Sequence, residues 1–376
     1  MLCVIPPAYN IMSSRDFLLP VLPPEIDYMP LIRVIGEAHG AIGELNGLMR
    51  KNILSPELLI TPLLTKEAVL SSRIEGTQAT LEDVFQYEAG AGSANTDDKE
   101  RDITEIINYR RAMNFSIGEL KEKQITREFV KKLHYLLLDS SRGAEKDRGK
   151  FRTGQVYIGM PGASIEEASY VPPAPELIGG MLDNWEKYVG SNREKDLLVQ
   201  AGIAHYQMEA IHPFRDGNGR VGRLLIPLFL YQKEMLSWPL LYISEYFERN
   251  RSDYYDYLRG VTERGDWTSW LKFFLLALIT QSLKTQTTIA RIMDLNERLK
   301  KDILVANSVY AANLLEFLFS SPIVTFPKIK DKLKTKNPQT IYNLLEKFIQ
   351  MGILKEESGR KRNRVFVFKE LMDILK

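Results

Sequence analysis

A single cysteine, Cys3, is all the thiol chemistry in 376 residues, so an internal disulfide and a cysteine-built zinc finger are both excluded. Cys3 reads as a bland N-terminal residue, and so little cysteine suits a reducing cytoplasm. Four histidines form no Cys/His cluster of metal-ligand spacing. Neither sign of charge dominates: 50 Lys and Arg stand against 48 Asp and Glu, a net +2, so only local clusters can speak about partners. The longest apolar runs, Phe273 to Ile279 and Leu224 to Tyr231, are too short to span a bilayer. The opening MLCVIPPAYN has neither a basic leader nor an apolar core of signal-peptide length. The expectation is a soluble cytoplasmic protein with no membrane association and no internal repeat. Its length allows two or three domains, each able to bury a core.

The chemistry collects in Ile211 to Arg223, IHPFRDGNGRVGR, where an imidazole, a carboxylate, an amide, guanidinium groups and three glycines crowd together. Gly217, Gly219 and Gly222 let the backbone approach a ligand and aim N–H groups at anionic oxygens. The following RVGRLLIPLFLYQKEML has apolar residues at helical spacing, so the loop enters a helix N-terminus, whose partial positive charge favours phosphate. Arg220 and Arg223 share one face of that helix and can fork onto one anion, with Asn218 as an amide donor. Asp216 would be repelled by phosphate unless a divalent cation bridges them, which points to Mg²⁺. His212, with an ordinary pKa near 6.5, can take a proton at neutral pH, although a helix C-terminus before it tends to raise that value.

This stretch resembles the Fic family signature H-x-F-x-[D/E]-G-N-G-R-x-x-R, matched at every fixed position by His212, Phe214, Asp216, Gly217, Asn218, Gly219, Arg220 and Arg223. Fic proteins transfer AMP from ATP to a protein hydroxyl. The resemblance therefore implies His212 as general base on a target Ser, Thr or Tyr, with the protein itself as one such target, and Asp216 as the Mg²⁺ ligand. Asn218, Arg220 and the loop from Gly217 through Val221 and Gly222 would hold the phosphates. Arg223 would bind the γ-phosphate, and Phe214 would anchor the loop from within.

Upstream, Thr61-Pro62 predicts the start of a helix that runs to Gly76. Glu75 sits in its last turn, where the dipole disfavours an anion, and Ser71 shares its face. The pattern Ser71-x-x-x-Glu75-Gly76 resembles the inhibitory motif of Fic proteins that carry their own brake, which implies that Glu75 reaches Arg223. A charge pair about 4 Å apart is worth roughly 4 kcal/mol at an effective dielectric of 20, before desolvation.

Gly149 to Pro173 breaks the helical pattern. Gln155 to Ile158 is β-prone, Pro161-Gly162 is a turn and Tyr170-Val171 returns. Such a hairpin resembles the family's flap, whose Val156, Tyr157, Ile158 and Gly159 would line the nucleotide and whose edge would hold a target segment by strand-like pairing. In Fic proteins an asparagine at a set distance after the loop contacts the adenosine end, with a tyrosine eight residues earlier. Asn250 and Tyr242 are the candidates here, whereas Tyr254, Tyr255 and Tyr257 read as core and surface aromatics. His39, His134 and His205 read as packed core histidines.

Met1 to Pro30 reads as an extended arm, and a short helix begins at Thr80 with Asp83 completing its cap. Asp266 to Lys300 is a long helix whose polar second half reads as a connector leaving the core. Asn307 onward gives helix, short strand, helix, helix, strand and strand, which resembles a winged helix-turn-helix domain with Pro338 to Met351 as recognition helix. Its wing, Ser358 to Arg364, carries Arg360, Lys361, Arg362 and Arg364. With Lys328, Lys330, Lys332, Lys334 and Lys336 they make a basic patch suited to DNA phosphates, though a protein partner fits equally.

The expected fold is all-α: a Fic helical core with a small β-hairpin flap, an N-terminal segment (1–95) bearing the brake, the core (96–300) and a winged-helix domain (301–376). The expected function is AMP transfer from Mg²⁺-ATP, restrained by Glu75, with a homodimer expected. Two alternatives stay open: AMP removal or another nucleotide transfer at the same site, and a DNA-binding regulator that senses ATP.

Overall fold

A computed structural model describes residues 19–51, 56–91, 97–139, 147–159, 162, 164–304, 309–335, 337–357 and 364–376. Cys3, the arm before Leu19, the flap-tip Pro161, Lys336 and the wing residues Arg360, Lys361 and Arg362 lie outside them.

The chain opens with α1 (Ile32–Lys51), α2 (Pro56–Ile74) and α3 (Leu81–Glu88). α2 begins ahead of Thr61, so Pro62 lies inside the helix instead of at its start. Leu59, Ile60, Leu63 and Leu64 are all buried, and packing of that stripe outweighs the N–H that proline lacks. α3 starts as expected: Asp83 N donates to Thr80 Oγ1 (3.1 Å) and Thr80 N donates to Asp83 Oδ2 (2.9 Å), a reciprocal cap. His39 is a correction. It sits off the buried stripe of Val34, Ala38, Ala41, Ile42 and Leu45 and pairs with Asp196 at 2.6 Å on the exposed face.

α4 (Asp97–Glu119), α5 (Arg127–Leu137), α6 (Ile178–Gly190), α7 (Leu197–Ile211), α8 (Asn218–Gln232), α9 (Ser244–Arg249) and α10 (Arg251–Arg264) form the body. α7 and α8 pack on each other, with α5 and α4 against α8 and α2 across α4 and α9. Between α5 and α6 the expected hairpin is reduced to one antiparallel bridge, Ile158 with Tyr170. Ile158 N donates to Tyr170 O at 2.8 Å and Tyr170 N to Ile158 O at 3.1 Å. Pro172 and Pro173 cannot extend a ladder. Side chains hold the segment instead: Gln155 Nε2 donates to Pro172 O (2.8 Å) and the Tyr170 hydroxyl to Ala210 O (2.7 Å).

α11 (Trp267–Leu304) does not leave the core in its second half, because α1 lies along it and Ile289, Ile292, Leu295, Asn296 and Leu299 are buried. Then come α12 (Val309–Ser320), β1 (Ile323–Thr325), α13 (Phe326–Leu333), α14 (Pro338–Gln350), β2 (Lys355–Glu356), β3 (Val365–Val367) and α15 (Lys369–Leu375). The sheet is antiparallel in the order β1-β3-β2, with Val324 opposite Phe366. This C-terminal unit is docked onto the N-terminal helices. α12 and α15 pack on α2, Thr325 Oγ1 donates to Ala89 O (2.8 Å), and Phe85 and Ala89 bury against Ile323, Val367 and Met372. One apolar cluster includes residues from Leu19 to Leu375.

Candidate active site

α7 is capped at its start by Asp196, whose Oδ1 accepts from Leu198 N (2.9 Å) and Val199 N (3.0 Å). It stops at His212 because Pro213 follows and His212 adopts a left-handed conformation, φ 49° and ψ 58°, uncommon for a residue with a Cβ. Phe214 is fully buried, stacked on His134 at 3.8 Å with an interplanar angle of 6°. His134 is more than filler. Its Nδ1 accepts from Gly149 N (2.9 Å), which leaves Nε2 to donate to Asp216 O (3.0 Å), so it fixes the loop from below. Gly217, at φ 76°, makes the turn into α8, a conformation that favours glycine.

His212 Nδ1 lies 3.3 Å from Glu209 O. Donation there leaves Nε2 as the proton acceptor. Burial pushes the imidazole down to about 4, against the opposing pulls of the Glu209 carbonyl and Glu75. Desolvation thus outweighs the helix terminus that was expected to raise it, and His212 is neutral at pH 7.

Arg223, on α8, has a side chain 1% exposed. Its Nε donates to Ser71 Oγ (2.9 Å), and its Nη2 to Ser71 O (3.0 Å) and Glu75 Oε1 (2.7 Å). Burial works against both charges, yet each stabilises the other: Arg223 holds the Glu75 carboxyl below its usual range and Glu75 raises Arg223. A Cβ on Gly219 would stand 2.3 Å from Glu75 Oε1 and 2.7 Å from Arg223 Nη1. The Glu75 carboxylate therefore rests against the first turn of α8, where the helix terminus favours an anion. Gly76, at φ 101°, turns the chain away after α2.

Two acids missed in the sequence complete the electrostatics. Glu105 on α4 pairs with Arg220 at 2.7 Å, both side chains 4% exposed, while Arg220 also reaches Asp216 (3.4 Å). Glu209 stands three residues before His212. Burial pushes its carboxyl up to about 7, with Arg223 pulling back. A Cβ on Gly222 would meet Glu209 Oε1 at 2.2 Å, so the missing side chain at 222 makes room for Glu209.

These groups surround an open cavity of about 450 Å³, within the range of small-molecule sites. Glu75, His212, Asp216, Arg220 and Arg223 border it, as do Gly217, Asn218, Gly219, Val156, Tyr157 and Ile158. The Asn218 side chain is spent on the loop, accepting from Phe214 N and donating to Phe214 O, each at 2.8 Å. Ser71, Gly76, Gly159, Val221 and Gly222 do not border the cavity. Tyr242 is buried in the interior near Glu67, and Asn250 donates to Tyr246 O (2.8 Å) at the joint of α9 and α10; neither borders the cavity. α10 contributes Arg251, Tyr254, Tyr255, Leu258, Arg259 and Thr262 instead. Tyr254 and Tyr255, taken for core and surface aromatics, are wall residues. Their helical spacing with two arginines and a threonine was the signal, since a purely structural stripe would be apolar. Among the described residues no group of three or more His, Cys, Asp or Glu is arranged to hold a metal.

The helical body thus gathers an imidazole, a carboxylate and two guanidinium groups around a glycine turn. The Fic/DOC family N-terminal model matches residues 32–118 and the Fic/DOC family model matches 124–230, together over half the chain, which belongs to this family. Among its relatives, the protein adenylyltransferase Fic of Drosophila sechellia is 28% identical over 248 residues, 63% of this chain and 44% of that protein. That of Drosophila grimshawi is 31% identical over 172 residues, 45% and 32% of the two chains. The chain thus spans under half the length of these relatives. A Fic family protein from Desulfovibrio desulfuricans G20 superposes with a TM-score of 0.58 at 21% identity, covering 92% of this chain and 98% of its own. A Fic domain containing signaling protein from Bacteroides thetaiotaomicron gives 0.53 at 18% identity, covering 67% and 95%. Both likenesses concern the fold alone.

Proposed function

We propose that the chain is a protein adenylyltransferase held off by its own Glu75. The observation that carries this reading is the Glu75 carboxylate on Arg223, against Gly219, in the same cavity as a neutral His212. A carboxylate there takes the place that a nucleotide's terminal phosphate needs. Once it withdraws, Arg223 and the α8 N-terminus receive the triphosphate tail, and Arg220 stabilises charge near the α-phosphorus. His212 Nε2 takes the proton of a target hydroxyl, whose oxygen attacks the α-phosphorus as pyrophosphate leaves. The hydroxyl oxygen gains the P–O bond and the proton rests on the imidazole. Asp216 on the cavity wall, with the substrate's own phosphates, is the donor set that Mg²⁺ prefers, and the ion would supply charge neutralisation there.

Incubation of the Glu75→Gly protein with labelled ATP tests this. Label on protein that exceeds the wild-type yield and vanishes with His212→Ala is expected; no label on any protein would refute it.

A second activity has a separate basis. Residues 309–376 carry 13 Lys and Arg against 7 Asp and Glu, and α14 exposes Tyr342 with Gln339 and Asn343, side-chain types that read base edges. This supports a winged helix that binds DNA. Binding that weakens steeply with salt and survives His212→Ala is expected; indifference to salt argues for a protein partner.

A further inference from the structure

Arg152 has no part in the chemistry above, yet it is 2% exposed and forms no ion pair among the described residues. A buried cation with no carboxylate bonded to it, and Glu176 acting only from further off, is expensive, and an aliphatic side chain of similar length would fill the space at lower cost. Its donors all go to main-chain carbonyls. Nε donates to His212 O (2.8 Å), Nη2 to Pro173 O (2.5 Å) and Ile211 O (3.4 Å), and Nη1 to Gly154 O (3.4 Å). Its own N–H donates to Pro213 O (2.9 Å).

Those acceptors come from three places. Ile211 and His212 are the last carbonyls of α7, the negative end of its dipole, which partly balances the charge. His212 is the residue in the left-handed conformation, and the Arg152 Nε–H on its carbonyl, with Nη2 on Ile211 O and Pro213 held alongside, fixes that uncommon geometry. Gly154 and Pro173 are the two feet of the flap segment, whose arms share one β-bridge with the side-chain bonds of Gln155 and Ser169 across it. One planar group therefore ties the feet of the flap to the backbone of the imidazole.

We propose that Arg152 is the positioning residue of this site: it sets the orientation of His212 and closes the flap on it, so that base and target-binding segment are held as one unit. The proposal rests on His212 being the base. Arg152 does not border the cavity, so its loss should lower the rate at saturating ATP and leave the ATP requirement alone. Charge is part of the role. Arg152 opposes protonation of His212, together with burial and against Glu75 and Asp216.

The test compares Arg152→Lys and Arg152→Gln in the Glu75→Gly background, with labelled ATP and a fixed protein acceptor. Arg152→Gln is expected to lower kcat at least tenfold with KM for ATP changed less than threefold, and to move the acid limb of the rate profile upward. Arg152→Lys, which keeps the charge but reaches fewer carbonyls, should fall between and keep the parent's acid limb. Equal losses of kcat and ATP affinity in both variants, tracking a common drop in thermal midpoint, would show a structural residue only and overturn the proposal, as would unchanged kcat in either folded variant. If Arg152→Gln does not fold, the Lys variant decides. Failure of the Glu75→Gly parent to label anything would instead sink the reading of the site.

Discussion

Replacing Glu75 by glycine should make the protein more active and less stable at once. The unit charges of Glu75 and Arg223 attract by roughly 4 kcal/mol at about 4 Å and an effective dielectric of 20. Glu75 is 35% exposed while Arg223 is 1% exposed, so screening removes part of that and about 2 kcal/mol is the reasonable net. On the proposed reading this attraction stabilises the fold and opposes the nucleotide equally. Its removal leaves Arg223 buried on Ser71 Oγ and Ser71 O alone, so the midpoint of thermal unfolding should fall by a few degrees. Nucleotide affinity should rise about thirtyfold, since each 1.4 kcal/mol is a factor of ten. At one hundred times Kd, Mg²⁺-ATP adds about 2.7 kcal/mol, so saturating nucleotide should bring the variant back to or above the wild-type midpoint. Thermal scans of both proteins with and without Mg²⁺-ATP read all of this. If the variant melts with the wild type when empty, or gains no more from nucleotide, the ion pair is not what restrains the site.

Gly219→Ala forces a methyl against Glu75 and Arg223. It should cost about 2 kcal/mol in the wild type and less than half of that beside Glu75→Gly, and a double-mutant cycle by urea denaturation that shows additivity would contradict this. Glu105→Gln leaves the buried Arg220 with only its longer contact to Asp216 (3.4 Å) and should cost roughly 3 kcal/mol in the same assay; a change under about 0.5 kcal/mol would mean that Asp216 alone balances the charge. The pH dependences follow from two opposite shifts. His212, lowered to about 4, stays neutral as pH falls from 7 to 5, so the rate of the Glu75→Gly protein should lose activity near 4 and not near 6.5. Glu209, raised to about 7, contributes stability that is present below its usual 4.5 and lost as pH rises through 7. Glu209→Gln should therefore gain on the wild type by on the order of 2 kcal/mol between pH 5 and pH 8, measured by denaturant midpoints.

The loop from His212 to Arg223 was legible because its chemistry is local: residue types and spacing alone place an imidazole beside a glycine turn at a helix entrance. Glu75 was legible for a related reason, as an acid at the wrong end of a helix that needed a cation from elsewhere. Glu105 and Glu209 were not, since an acid on a helix face looks solvated until a buried arginine is placed against it. Tyr242 and Asn250 do not border the cavity, because distance along the chain does not fix which face of α9 or α10 meets it. The helical stripe from Arg251 to Thr262 did carry that information. Pro62 misled because burial of a long apolar stripe outweighs one local helix-start signal. The flap was visible as a break in periodicity, but the prolines that end its pairing were weighed too lightly.

α2 has a consequence for how remote events arrive at the cavity. Its 19 residues make a rod of roughly 28 Å at 1.5 Å per residue, touching α12 and α15 along its body and ending beside Arg223. A lean of about 5° at one end of such a rod carries the other roughly 2.5 Å, close to the 2.7 Å that separates Glu75 from Arg223. A displacement where α12 and α15 pack on this rod would thereby carry to the Glu75 carboxylate at its far end.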